Sequence, residues 1–183
     1  MTSDKNNQPA QGMTDIEKKA FANLVEDDIR IGLAVPERPY LLMNSGADKA
    51  KIVLEKLLNY GSGHISVYTG KLDSLVWSPE ILNQYSERHP DADISIIFDN
   101  YCLDKQTRAA FSQNDLLKFY ERHKQPQYKC SHFVQIGDRI LRCEKNADDF
   151  SANIWINPEE CLRDSYKKAF SWMREHSDKK SLL

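Results

Sequence analysis

The chain has 183 residues, 40% hydrophobic and 28% charged, with a formal net charge of −2. It is long enough for one core that buries about 70% of the unfolded chain's surface, and no apolar run approaches the ~20 residues that cross a bilayer. The first dozen residues are polar and lack the apolar stretch of a secretory signal, and the small net charge gives no sequence-wide case for nucleic acid, so the expectation is a cytoplasmic protein with no membrane partner.

Residues 1–12 lack periodicity and predict a disordered arm. Thr14 with Glu17 forms a capping box ahead of a short helix carrying Ile16, Ala20 and Leu24 on one stripe. Ile29, Ile31, Leu33 and Val35 then alternate at strand period as far as Pro36. Residues 13–38 are too short to bury a core alone and are expected to be a helix-and-strand appendage to a domain spanning 39–176.

That domain opens with an apolar run at Tyr40 to Met43, followed by a second capping box, Ser45 with Asp48. The helix behind it presents Ala50, Val53, Leu54, Leu57 and Leu58 on one face and stops at Gly61, where a left-handed residue is expected. A strand over His64 to Thr69 precedes a helix opened by Ser78-Pro79, with proline at its tolerated first position, and running to about Arg88. Asp93 to Phe98 is nearly all apolar, as in a parallel strand buried on both faces. Strand, helix, strand, helix, strand is the βαβ signature.

Asn114 to Arg122 reads as a helix with Leu116, Leu117 and Tyr120 inward. Ser131 to Ile136 and Arg139 to Glu144 must form a hairpin, joined by a two-residue Gly137-Asp138 turn. That turn places Ile136 opposite Arg139, Val134 opposite Leu141 and His132 opposite Cys143. A strand over Ser151 to Ile156 leads into a last helix signalled by Asn157-Pro158-Glu159, whose buried stripe is Leu162, Tyr166, Ala169, Phe170 and Met173. Residues 177–183 are charged and predict a flexible tail. The fold class is α/β: a mixed sheet of βαβαβ units, a hairpin, a further strand and a C-terminal helix.

No metal or other cofactor is expected. Cys102, Cys130, Cys143 and Cys161 form no CxxC pair and the five histidines no HExxH spacing. Asp99 and Asn100 are ligand-binding candidates because open α/β sheets bind ligands at the carboxyl ends of their strands. Both residue types also suit the turn that follows a strand. Gly61-Ser62-Gly63 follows a helix and reads as a cap, not a phosphate cradle. His132 opposite Cys143 would be a thiol–imidazole pair, but packing is the commoner meaning of that juxtaposition.

His132 on the first hairpin strand, Ser151-Ala152-Asn153 on the strand after the hairpin, and Asn157-Pro158-Glu159 opening the last helix together resemble one repeat of the phospholipase D superfamily over about Pro39 to Glu175. That family carries HxKxxxxD, then Gly-Ser-x-Asn. The resemblance implies a phospholipase D-like α/β sandwich in which one histidine attacks phosphorus, a second protonates the leaving group, and lysines and asparagines hold phosphate oxygens. On these positions His132 and Asn153 are the catalytic candidates, and Ser151 and Arg139 join the ligand-binding set. The lysine position is Val134, the aspartate position is Arg139, and Asp138 falls one residue early.

With the motif's lysine and aspartate missing, the expected function is a catalytically inactive phospholipase D-like module that binds or regulates, with a protein partner or a second copy. The alternative is a homodimeric phosphodiesterase or nuclease in which two His132 residues meet and Arg139 or Arg142 supplies the cation. In the predicted register Arg142 faces away from His132.

Overall fold

The computed structural model describes residues 12–70, 76–99, 109, 111, 114, 116–122, 131–146 and 148–180. Their strands form one mixed eight-stranded sheet of β1 (Tyr40–Asn44), β2 (Ile65–Thr69), β3 (Ile94–Phe98), β4 (Leu117–Arg122), β5 (Phe133–Ile136), β6 (Ile140–Asn146), β7 (Ser151–Ile156) and β8 (Ser177–Lys180). The spatial order is β1-β7-β6-β5-β2-β3-β4-β8. β2, β3 and β4 run parallel, and every other neighbouring pair is antiparallel. The β1-to-β2 crossover therefore spans the three strands that come later in the chain.

Two cores lie on opposite faces of this sheet. α1 (Asp15–Ala34), α2 (Ala47–Tyr60) and α3 (Pro79–Arg88) cover one, with Ile29, Leu54, Leu57 and Leu82 fully buried against Ile65, Ile94, Val134 and Ile154. α4 (Glu160–Glu175) covers the other, with Phe170 and Met173 on Tyr68, Ile97, Phe133 and Leu141. β3 is buried along its whole length, as its unbroken apolar run requires. No helix among the described residues is long and apolar enough to cross a membrane.

Several expected elements differ. The strand expected over Ile29 to Val35 is the second half of α1, which starts at the Thr14–Glu17 capping box. Its buried positions, Val25, Ile29 and Gly32, follow helical spacing, whereas Ile31 and Val35 are exposed; alternation of apolar residues there was coincidental to the packing. Residues 117–122 are not helical but form β4, because Leu117 and Phe119 enter the helix-covered core at strand period. The tail expected to be flexible supplies β8 at Ser177–Lys180, paired to β4 and joined to it by the Lys180–Glu121 ion pair at 2.8 Å. Gly61 is extended, at φ −76°, and glycine is needed there for space: a Cβ would lie 2.6 Å from Ile136 and 2.8 Å from the Leu57 carbonyl. The expected arm over residues 1–12 falls almost wholly outside the described residues, as do Cys102 and Cys130.

Asn157 ties the two ends of the domain together. Its φ of +54° turns the chain after β7 so that the amide donates to the carbonyls of Gly32 at 2.7 Å and Val35 at 3.0 Å. These are carbonyls at the C-terminal end of α1, which no intrahelical donor reaches. Its Oδ1 accepts from Arg139 Nε at 2.9 Å. Asn157→Ala should lower the unfolding free energy in urea by about 2–3 kcal/mol, from lost hydrogen bonds plus a disfavoured dihedral. Asn157→Gly, which accepts the dihedral, should recover only about 1 kcal/mol of that.

Candidate functional site

The hairpin connection has three residues, 137–139, not two. β5 and β6 pair as Ile136↔Ile140, Gln135↔Leu141, Val134↔Arg142 and Phe133↔Cys143. One residue further on, the Glu144 amide donates to the His132 carbonyl at 2.8 Å, so His132 lies opposite Glu144 and not Cys143. The shift exchanges the faces of β6: Leu141 and Cys143 join the α4 core, while Arg142 and Glu144 share the side of Val134 and Ile136. The expected thiol–imidazole pair is not formed, and Arg142, expected to face away, lies on the side of His132.

A continuous polar network results. His132 Nδ1 is 2.9 Å from Glu144 Oε2, and Arg142 Nη1 is 3.3 Å from Glu144 Oε1. Arg142 Nη2 donates to the Phe150 carbonyl at 3.3 Å, which also accepts from Asn44 Nδ2 at 2.9 Å. Phe150 adopts φ +56° in the turn ahead of β7, where its carbonyl receives both donors. Arg142 is only 3% exposed. Burial raises the Glu144 carboxyl pKa, but the hydrogen bond to His132 and the Arg142 charge outweigh it and hold the carboxyl below its ordinary range. An ionised carboxylate can only accept, so His132 must donate through Nδ1–H, which leaves Nε2 with a lone pair in the neutral ring. A Cβ on Gly70 would lie 3.2 Å from that nitrogen, so glycine keeps the Nε2 edge uncrowded.

A second charge pair stands beside the first, at the carboxyl ends of the parallel strands. Asp99 follows β3 and accepts from Arg122 Nη2 at 2.6 Å and from the Tyr68 hydroxyl at 3.1 Å. The Arg122 guanidinium lies over the Tyr68 ring at 5.0 Å, and that ring meets His132 edge-on at 5.3 Å. His132 and Asp99 are thus brought together through Tyr68.

The remaining candidates sit elsewhere. Arg139 is at the opposite end of β5 from His132, donating to the Leu33 carbonyl at 2.6 Å and to Asn157. Asn153 pairs with Cys143, on the sheet face opposite the Glu144–Ala152 pair. Ser151 hydrogen-bonds through its hydroxyl to Asp149 at the start of β7. Asn100 lies outside the described residues. Sequence reasoning missed Glu144, Tyr68 and Arg122, and placed Arg142 on the wrong face of β6. Arg142 and Glu144 do carry a signal, two opposite charges at strand spacing i, i+2, but its meaning depends on the loop length.

No family model matches the sequence, and no curated protein does. Solved structures share the fold at low identity. Nuc from Salmonella typhimurium, a phospholipase D family member, superposes with a TM-score of 0.60 at 11% identity over 78% of this chain and 99% of its own. NucT from Helicobacter pylori gives 0.56 at 12% identity, over 78% of this chain and all of its own. TrmBL2, an archaeal chromatin protein described as binding DNA in a novel mode, gives 0.56 at 14% identity over 91% of this chain. This chain spans 63% of the length of TrmBL2. The fold is therefore the phospholipase D-like α/β sandwich that the resemblance implied.

Glu144→Gln would leave the Arg142 charge buried without its carboxylate, and should cost about 3 kcal/mol at neutral pH. Because the folded Glu144 pKa is depressed, its contribution is complete above the ordinary value of 4.5 and is lost as pH falls through the lower folded value. In urea titrations the gap between wild type and Glu144→Gln should be widest near pH 7 and close progressively below pH 4.5.

Proposed function

We propose that this chain is a catalytically inactive phospholipase D-like module, cytoplasmic, that binds or regulates a protein partner or a second copy of itself. One observation carries the reading: Arg142, joined to His132 through Glu144, and Arg122, across the Tyr68 ring from His132, are each neutralised by a carboxylate, Glu144 and Asp99 respectively. Phosphoryl transfer through a histidine needs positive charge aimed at the phosphate oxygens as the pentavalent state forms. Here those charges are turned inward, and the position of the family's lysine is Val134, buried in the apolar core at 3% exposure.

A second reading has its own support. A histidine whose Nδ1–H is held by an ionised carboxylate presents Nε2 as a base or nucleophile, the arrangement that activates imidazole in hydrolases. In a homodimer, Nε2 of one His132 would form the bond to phosphorus as the ester oxygen leaves, and the second His132 would supply its proton. Arg142 would then act by fixing Glu144, since its own guanidinium does not reach the surface.

Hydrolysis of bis(4-nitrophenyl) phosphate and of single- and double-stranded DNA separates the two. The expected result is no turnover above that of His132→Ala in any of the three assays. Turnover that disappears in His132→Ala and survives in Arg139→Ala would establish the dimeric phosphodiesterase instead.

A further inference from the structure

The two edges of the sheet are unlike. β8, Ser-Asp-Lys-Lys, is short and carries three charges in four residues, the usual protection of an edge whose backbone groups would otherwise pair with another chain. β1, the opposite edge among the described residues, is Tyr-Leu-Leu-Met-Asn, with no charge, no internal proline and no bulge in its pairing with β7. One side of its backbone pairs with β7 and the other is open. Leu41 and Met43, on the α4 face beside Trp155 and Asn153, are each more than half exposed.

The same edge is apolar on a second level. Leu24, Ile31 and Val35 fall within about 40° of one another around α1 and its C-cap, and all three are exposed. This stripe lies on the flank toward β1. Asp28, four residues from Leu24 and three from Ile31, accepts from the Tyr40 hydroxyl of β1 at 2.8 Å, while α2 holds the other flank through Lys56 and Tyr60 on Glu26. Asp27 lies on the solvent side of the stripe. With Ile16, these are the large hydrophobic side chains left exposed among the described residues, and every one is on α1, its C-cap or β1. The five around the edge expose on the order of 500 Å², at the upper end of the patches that monomers leave uncovered.

We infer that this edge binds a second copy of the chain, β1 pairing antiparallel with its own copy about a two-fold axis through Leu42. That register sets Leu41 opposite Met43 of the second copy and Tyr40 opposite its Asn44, so all five residues of the strand pair. An axis perpendicular to the sheet keeps both α1 helices on one side of the joined sheet, with their stripes of Leu24, Ile31 and Val35 facing each other across the seam. A single extended peptide would add to β1 but leave the α1 stripe bare, so a second copy fits where a peptide does not. With the edge backbone included, the joined surfaces come to about 1,200 Å², the weak end of specific interfaces, and the dimer should dissociate in the micromolar range. The choice of occupant rests on the binding-module reading and sharpens it. β5 and its mate would lie seven strand spacings apart, about 34 Å, so the two His132 residues cannot meet in this dimer.

Sedimentation equilibrium of the full chain between about 1 and 500 μM tests the inference, with amide hydrogen exchange and the phosphodiester assays run on the same samples. The expected result is a monomer–dimer equilibrium approaching twice the chain's 21.2 kDa, with exchange of the β1 amides slowed about tenfold at the upper concentrations. Met43→Lys on β1 and Ile31→Glu on α1 each place a charge in the seam twice at a position that is exposed in the monomer. Each should raise the dissociation constant about 100-fold, while Lys168→Ala on α4 leaves it unchanged. A chain that is monomeric at every concentration overturns the inference, as does a dimer whose β1 amides exchange at the monomer rate or that persists undiminished in either variant. Turnover that depends on His132 in a β1-paired dimer would overturn the inactive reading and leave the interface standing; a monomer without turnover would do the reverse.

Discussion

Gly137 sets the arrangement on which the rest depends. It sits at φ +52°, its amide donates to the His64 carbonyl at 2.8 Å, and a Cβ on it would lie 2.3 Å from the Ser62 carbonyl oxygen. Only glycine fits there, for the dihedral and for the space. The contact anchors the hairpin turn against the segment that leads into β2, and so ties the β5–β6 connection to the β2–β5 pairing. With the turn held in this place the connection takes three residues, β6 begins at Ile140, and every side chain of β6 is assigned its face. Glu144 meets His132 because of a constraint at the far end of the hairpin.

The network that follows is governed by burial. Arg142 and Glu144 are expensive to desolvate singly, and their pairing is what makes either tolerable beneath α1 and α2. Glu144 also bonds to His132, so one carboxylate neutralises a cation and orients an imidazole with its two oxygens. Asp99 does comparable work on the other face, accepting from Arg122 and from the Tyr68 hydroxyl while the guanidinium covers the Tyr68 ring. Such shared sets of donors and acceptors restrict each other's orientation. They hold the imidazole in one tautomer, and they leave little positive potential for an incoming phosphate. These two consequences pull the functional interpretation in opposite directions, and the proposal of a binding module rests on the second.

Elements whose local signals agree with their tertiary setting were legible from sequence. α2 carries five buried apolar residues at helical spacing, α3 starts at its proline, and β3 is apolar throughout. The order of these elements, together with His132, Ser151-Ala152-Asn153 and Asn157-Pro158-Glu159, was enough to suggest the phospholipase D-like sandwich. Misreadings arose where two periods coexist or where partners are distant. Ile29 to Val35 satisfies both strand and helix patterns, and Gly32, which packs against Ile156 of β7, decides the matter through a contact invisible in sequence. Ser177 to Lys180 has no strand character of its own and is ordered by β4. The hairpin was recognised, but a turn one residue longer inverted the faces of β6 and hid the His132–Glu144–Arg142 set. The turn length is fixed by Ser62 and His64, more than 70 residues earlier, which no local pattern encodes.

β2 and β5 form the shared floor of both ends of the sheet. At their His132 end stand Tyr68 and the two neutralised arginines; at the other end Ser66 and Gln135 line a cavity walled by α4. Between them Phe133 and Tyr68 pair directly, and Phe133 packs edge-on against Tyr166 and Phe170 of α4 at 4.8 and 6.1 Å. This aromatic row separates the polar cluster at each end from the other. Each polar cluster is then answerable to its own neighbours: at the His132 end the carboxylates of Glu144 and Asp99 meet the arginines, while the Gln135 end is lined by the carboxylates of Asp93 and Asp138 and by Lys167 and Arg174.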